Sequence, residues 1–213
     1  MPEKINIAVL VSGGGTNLQA LIDAQKNGII KSGEIKLVIS SNEKAYALTR
    51  AQENGIATAV VSGKEYGGIL PAEEKIIALL RENKIDLIVL AGYMCILSKN
   101  FTEKFDRRII NVHPSLIPSF CGEGFYGLRV HEAALRKGVK VTGATVHFVN
   151  EIPDGGEIIL QKAVPVLDDD DEEALDERIL AQEHIAFPEA VALFCADRLV
   201  VTGRHVKILP ESR

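Results

Sequence analysis

Apolar and polar positions alternate along this chain in two rhythms. Ile5 to Val11 is an apolar run broken only by Asn6 and predicts a buried strand. Thr16 to Asn27 carries Leu18, Leu21 and Ile22 at helical spacing and predicts a helix. The pattern repeats with a strand over Glu34 to Ser40, a helix over Glu43 to Asn54 closed by Gly55, and a strand over Ala57 to Val61. Pro71 is expected to open a third helix, at the first position where proline is tolerated, with Ile76, Ile77, Leu79 and Leu80 facing inward. Ile85 to Ala91 is the most apolar strand and is expected at the sheet centre. A short helix over Ser98 to Phe105, a strand over Arg108 to Val112 and a helix over Val130 to Lys137 follow. Val141 to Val149 and Glu157 to Val166 read as two long strands, Glu172 to Cys195 as a long helix, and Val200 to Leu209 as a terminal hairpin or tail strands.

This order implies an α/β fold with a doubly wound, mostly parallel sheet. Two successive strands around residue 150 imply an antiparallel addition in the C-terminal half. At 213 residues and 46% hydrophobic content the chain suits a single domain over residues 1–213 with a continuous core. The net charge of −5 gives no sign of a nucleic-acid or membrane surface. Cys95, Cys121 and Cys195 form no C-x-x-C pair, so reduced thiols are expected. The opening residues lack the pattern of a signal peptide, and no apolar stretch reaches the roughly 20 residues a membrane helix needs, so cytoplasmic residence is expected. The acidic run Asp168 to Glu173 precedes a helix, where carboxylates favour the positive end of the dipole.

Three segments could carry chemistry. Ser12-Gly13-Gly14-Gly15-Thr16-Asn17 joins the first strand to the first helix. It is a phosphate cradle built on a helix start, or a plain tight turn capped by Thr16. No Walker pattern or G-x-G-x-x-G is present, which disfavours a dinucleotide. Asn111-Val112-His113-Pro114-Ser115 ends a strand, where ligands of open α/β sheets bind. Residues two apart on a strand share a face, so Asn111 and His113 project together. An amide donor beside an imidazole suits acyl transfer, the amide holding an oxyanion and the ring moving a proton; a buried structural histidine is the alternative. Asn150 to Gly156 is a loop whose Asp154, alone, reads as a turn residue; paired with His113 it would raise the imidazole pKa and hold the ring.

Taken in order, these segments resemble the folate-dependent phosphoribosylglycinamide formyltransferases of purine synthesis. The resemblance runs through Val11 to Ala20, Leu90 to Leu97, Asn111 to Pro118, Thr145 to Val149, Asp154-Gly155-Gly156 and Gln182-Glu183-His184, covering nearly the whole chain. It implies a Rossmann-like formyltransferase fold and transfer of the formyl group of 10-formyltetrahydrofolate to the amine of glycinamide ribonucleotide, with no metal. It implies that Asn111 and His113 stabilise the oxyanion, that His113 donates a proton, and that Asp154 keeps His113 protonated. Gly15, Thr16 and Asn17, with Leu180, Ala181, Gln182 and Glu183, match the ribonucleotide site. Met94, Cys95, Ile96 and Leu97, with Asn111, Asn150, Glu151, Ile152, Pro153 and Asp154, match the folate pocket. Residues 1–100 are thus expected to bind phosphate and ribonucleotide, and residues 101–213 to hold the catalytic and folate groups.

Some positions depart from the family pattern. Cys95 stands where many relatives carry arginine, Ser119 to Gly127 is longer than in some relatives, and Lys64 aligns too poorly to receive a role. Methionyl-tRNA formyltransferases carry an additional C-terminal domain and formyltetrahydrofolate hydrolases an additional N-terminal one, and neither extension is expected here. A non-catalytic phosphate- or folate-binding module would keep the glycine loop but would not need Asn111, His113 and Asp154 together. The expected partners are the two small substrates alone, on a monomer or homodimer; residues 200–213 carry no functional mark.

Overall fold

A computed structural model describes residues 4–211. The expected domain limits at residues 1 and 213 therefore lie outside the described residues. A seven-stranded sheet in the order β3-β2-β1-β4-β5-β6-β7 runs through the chain. Its strands are β1 (Ile5–Val11), β2 (Gly33–Ser40), β3 (Ala57–Val60), β4 (Leu87–Leu90), β5 (Ile109–His113), β6 (Val141–Phe148) and β7 (Ile158–Pro165). The first five pair in parallel, and β6 and β7 add antiparallel at one edge, as the sequence pattern implied. β4 stands fourth of the seven, which is why its four residues are all buried.

The helices are α1 (Thr16–Lys26), α2 (Tyr46–Glu53), α3 (Ile69–Glu82), α4 (Lys99–Lys104), α5 (Leu128–Lys137) and α6 (Glu172–Cys195). They cover both faces of the sheet, because alternate residues of each central strand point to opposite sides. Ile7, Val9 and Val11 of β1 join the core beneath α1 and α6, whereas Ala8 and Leu10 join the core beneath α3 and α4. Ile76, Ile77 and Leu80 of α3 are buried as expected; Leu79 is only half-buried. Pro71 is the third residue of α3 rather than the first, still within the turn whose N–H groups have no intrahelical acceptor. α2 begins three residues later than the sequence suggested, since Asn42 makes a local turn, its Oδ1 accepting from the Lys44 N–H and its own N–H donating to Ser40 Oγ. Asp171 caps α6 through the Ala174 amide, and Asp170 pairs with Arg178, which accounts for much of the acidic run.

Strand order reverses between β1 and β4, β2 and β3 lying to one side and β5 to the other. That reversal opens the crevice where open α/β sheets bind ligands. The glycine loop leaves β1 and the segment 91–97 leaves β4 at this point, and the two are tied by a hydrogen bond from the Met94 amide to Ser12 Oγ at 2.9 Å.

Candidate active site

One end of the site is built by α1 and α6. Gly15 is the N-cap of α1 with φ 74°, a left-handed conformation that glycine adopts without cost. No side chain caps the helix, so the capping role considered for Thr16 is not the one it takes. The carbonyls of Gly13 and Gly14 are engaged by the Ala47 amide and by Arg50 Nε, both from α2. The loop thus turns its acceptors toward α2, away from the amides of the helix start.

Asn17, on the first turn of α1, donates through Nδ2 to Glu183 Oε2 at 2.7 Å. Two segments 166 residues apart are joined by that bond. Glu183 is only 6% exposed, and burial pushes its carboxyl up to about 7; the Asn17 hydrogen bond opposes this, Asp176 adds to it, and His131 opposes it. Leu180, Ala181 and Gln182 occupy the preceding turn of α6.

The other end is built on β5 and its antiparallel neighbour. Asn111 is directly opposite His147 in the β5–β6 register, and His113 is opposite Thr145. Cross-strand partners share a face, and Asn111 Nδ2 lies 3.3 Å from His147 Nε2. His147 Nδ1 donates to the Phe148 carbonyl at 2.6 Å, so Nε2 is the ring nitrogen that meets both Asn111 Nδ2 and Asp154 Oδ1. That fixes one N–H of the Asn111 amide and leaves the other free.

Asp154, held at φ 54° in the loop after β6, reaches both imidazoles. Its Oδ2 lies 3.5 Å from His113 Nδ1 and its Oδ1 lies 3.6 Å from His147 Nε2. The Gly122 amide donates to the same Oδ2 at 2.8 Å, and His113 Nε2 donates to the Phe120 carbonyl at 2.9 Å. The segment Ser119 to Gly127 therefore braces both members of the pair. Sequence reasoning missed three of these groups. His147 stood inside a quoted motif, but only the strand register gives it a partner; the Phe120 carbonyl and the Gly122 amide are backbone groups with no side-chain signal.

The electrostatics correct one expectation. Burial lowers the pKa of His113; Asp154 and the Phe120 carbonyl raise it but do not offset the burial, and His147 and His131 lower it further. The ring is 4% exposed and favours its neutral form, so Asp154 does not keep it charged. Burial raises the Asp154 carboxyl, yet His147, His113 and the Gly122 N–H together bring it below the usual carboxylate range. An ionised carboxylate thus faces a mostly neutral imidazole. Such an arrangement is able to accept a proton on the ring and to stabilise the cation as it forms.

A cavity of about 130 Å³ opens beside this cluster. Cys95, Ile96, Leu97, Asn111 and the whole run Asn150 to Asp154 line it, together with Leu90, Tyr93, His147 and Val149. Met94 is the one expected pocket residue outside the lining; its side chain is exposed while its amide holds Ser12. Lys64 does not line the cavity either. A larger groove of about 860 Å³ runs between α1, α6 and the C-terminal strands. It contains none of the expected site residues, and the smaller cavity is the candidate site because Asn111, His147 and Asp154 of the cluster line it, with His113 buried behind Asp154. Cys95 to Leu97 line the space beside Asp154, and Glu183 stands at the glycine-loop end.

Comparison with known proteins places this architecture. Residues 5–191 match the family model described as formyl transferase. A phosphoribosylglycinamide formyltransferase of Haemophilus influenzae is 42% identical over 97% of this chain and 96% of its own length. The crystal structure of glycinamide ribonucleotide transformylase 1 from Symbiobacterium toebii superimposes with a TM-score of 0.92 at 43% identity, covering 99% of this chain and 96% of that one. The trifunctional purine biosynthetic protein adenosine-3 of Gallus gallus is 44% identical over 96% of this chain, which spans only about a fifth (20%) of that longer protein. Matched from its first strand into its last long helix, the chain belongs to the formyl transferase family, in the branch of the phosphoribosylglycinamide formyltransferases.

Proposed function

We propose that the chain transfers the formyl group of 10-formyltetrahydrofolate to the amine of glycinamide ribonucleotide, a step of purine synthesis. The observation that carries this reading is the cluster in which Asp154 stands 3.5 Å from His113 and 3.6 Å from His147, with Asn111 on His147. A binding module for phosphate or folate has no use for that cluster.

The two ends of the site suit the two substrates. The helix-start amides after Gly15, with Thr16 and Asn17, take the phosphate; Glu183, beside Leu180, Ala181 and Gln182, takes hydrogen-bond donors of the ribose or amine end. The cavity is smaller than the roughly 300–1,000 Å³ of drug-sized sites, so it receives the flat head of the folate and leaves the remainder outside. Its walls fit such a head, with apolar Leu90, Ile96, Leu97 and Val149 beside the polar backbone of residues 150–154.

The amine attacks the formyl carbon; a carbon–nitrogen bond forms as the formyl oxygen gains charge. The free N–H of Asn111 stabilises that oxygen. His113 takes the proton the amine loses, Asp154 stabilises the resulting imidazolium, and the ring returns the proton to the departing folate nitrogen as its bond to carbon breaks. We read the whole chain as one domain, acting in the cytoplasm as a monomer or homodimer with small-molecule partners only. Among the described residues no helix is long and apolar enough to cross a membrane.

The test mixes purified protein, glycinamide ribonucleotide and a 10-formyl folate, and follows the deformylated folate spectroscopically. Release that requires the ribonucleotide supports transfer. Equal release without it shows hydrolysis, with water in place of the amine, and no release sinks the reading.

A further inference from the structure

The last strands form a hairpin, β8 (Leu199–Thr202) with β9 (His205–Ile208), joined by the two-residue turn Gly203-Arg204. Gly203 sits at φ 58°, as the first position of a tight hairpin turn of this kind demands. The hairpin is docked: Leu199, Val201 and Val206 pack against the core, and its base is closed by Leu209 N to Arg198 O at 2.8 Å and Arg198 Nε to Leu209 O at 2.7 Å. Nothing in the sequence marks this tail as functional.

Its tip nevertheless touches the catalytic loop. Arg204 Nη2 donates to the Gly155 carbonyl at 3.0 Å. Within the loop that carbonyl has one other partner, the longer bond from Asn150 Nδ2 at 3.3 Å. Gly155 directly follows Asp154, whose carboxylate stands 3.5 and 3.6 Å from two imidazoles. Those separations are longer than an ordinary N–H···O hydrogen bond of about 2.7–3.2 Å, so the loop leaves the carboxylate room to close on either ring or to draw away. The Gly155 carbonyl belongs to the 155–156 peptide, one residue beyond Asp154, so holding it fixes the backbone on one side of Asp154 while the Gly122 amide holds the carboxylate on the other; a small shift of that backbone changes how closely Asp154 approaches the rings.

We propose that Arg204 is a positioning residue for formyl transfer: from the tip of the C-terminal hairpin it clamps the Gly155 carbonyl and so sets where Asp154 stands between His113 and His147. The kinetic part of this inference rests on the transfer reading above; the clamp itself does not. A planar guanidinium suits a fixed carbonyl, and a lysine ammonium reaches it as a single point donor, so Arg204→Lys keeps part of the effect.

The experiment uses the full chain as wild type, Arg204→Ala, Arg204→Lys and, as a control on the same hairpin, Lys207→Ala. Amide hydrogen exchange over residues 150–157 is measured with steady-state kinetics for both substrates across pH. In Arg204→Ala, exchange in that loop quickens while β1 and α6 exchange as in wild type. Its kcat/KM for the formyl donor falls three- to tenfold, and KM for the ribonucleotide stays within twofold. The inflection assigned to His113 moves to lower pH, since a misplaced Asp154 raises the ring less. Arg204→Lys recovers part of the loss, and Lys207→Ala behaves as wild type. Unchanged loop exchange in Arg204→Ala overturns the clamp. Faster loop exchange with unchanged kinetics overturns the positioning role, and so does faster exchange throughout the sheet with a lowered Tm, which marks a general stabiliser. An inactive wild type sinks the transfer reading while loop exchange still reports on the clamp.

Discussion

Asn111 and His147 face each other across the antiparallel β5–β6 pair, with Asn111 Nδ2 3.3 Å from His147 Nε2. The contact aims the amide that the transfer reading assigns to the oxyanion. Losing one oxyanion donor typically costs about 100- to 1000-fold in turnover. Asn111→Ala is expected to fall in that range. His147→Ala leaves the amide in place but unaimed and is expected to lose less than Asn111→Ala does. Steady-state kinetics on folded variants decide this; a wild-type kcat in His147→Ala would remove it from the site.

His113 and Asp154 give a prediction with a sign. The lowered imidazole pKa means that the unfolded chain binds a proton before the folded one as pH falls below the ordinary histidine value of 6.5. Stability is therefore lost through that window and levels off below the folded pKa. Asp154→Asn removes the carboxylate that raises the ring, so the His113 titration, followed by NMR, moves to still lower pH. An upward movement would show that Asp154 does not act on the ring as a charge. Both Asp154→Asn and His113→Ala are expected to remain folded while losing most of their activity.

Glu183 behaves in the opposite sense. Its carboxyl, pushed up to about 7 from 4.5, stays protonated in the fold after the unfolded chain has ionised. Stability is therefore greatest below pH 4.5, falls between the two values, and carries the full penalty above about pH 7, an upper bound of about 3 kcal/mol. Glu183→Gln removes that penalty. Its Tm relative to wild type is expected to rise from pH 5 to pH 8, while KM for the ribonucleotide increases several-fold because a carboxylate acceptor is lost. A Tm difference that is flat with pH would contradict the burial argument.

Gly156 tests how tightly the Asp154 loop is seated. A Cβ there would fall on the Phe148 carbonyl oxygen, a backbone atom that cannot swing aside. Gly156→Ala is expected to cost about 1–3 kcal/mol by overpacking and to displace Asp154. Thermal unfolding and kcat should fall together; a variant as stable as wild type would show that the loop yields.

Much of this protein was legible in the residues. The strand and helix periods, the glycine loop after β1 and the Asn-x-His spacing on β5 depend on local pattern and on the alternation of a strand, both properties of neighbouring residues. They placed the elements to within a few residues and set the antiparallel strands near residue 150. Tertiary structure decided the rest. Whether Asp154 was a turn residue or a partner of His113 depended on how a loop 41 residues later in the chain folds against β5, and nothing local encodes that. His147 acquired its partner from strand register, since a slip of one residue would have turned it to the other face. The sign of the His113 shift came from the depth of its burial, which outweighs the nearby carboxylate. The hairpin tip that meets Gly155 is a contact 49 residues apart, made by a side chain to a backbone carbonyl, and a sequence pattern has no means of showing which carbonyl an arginine will find.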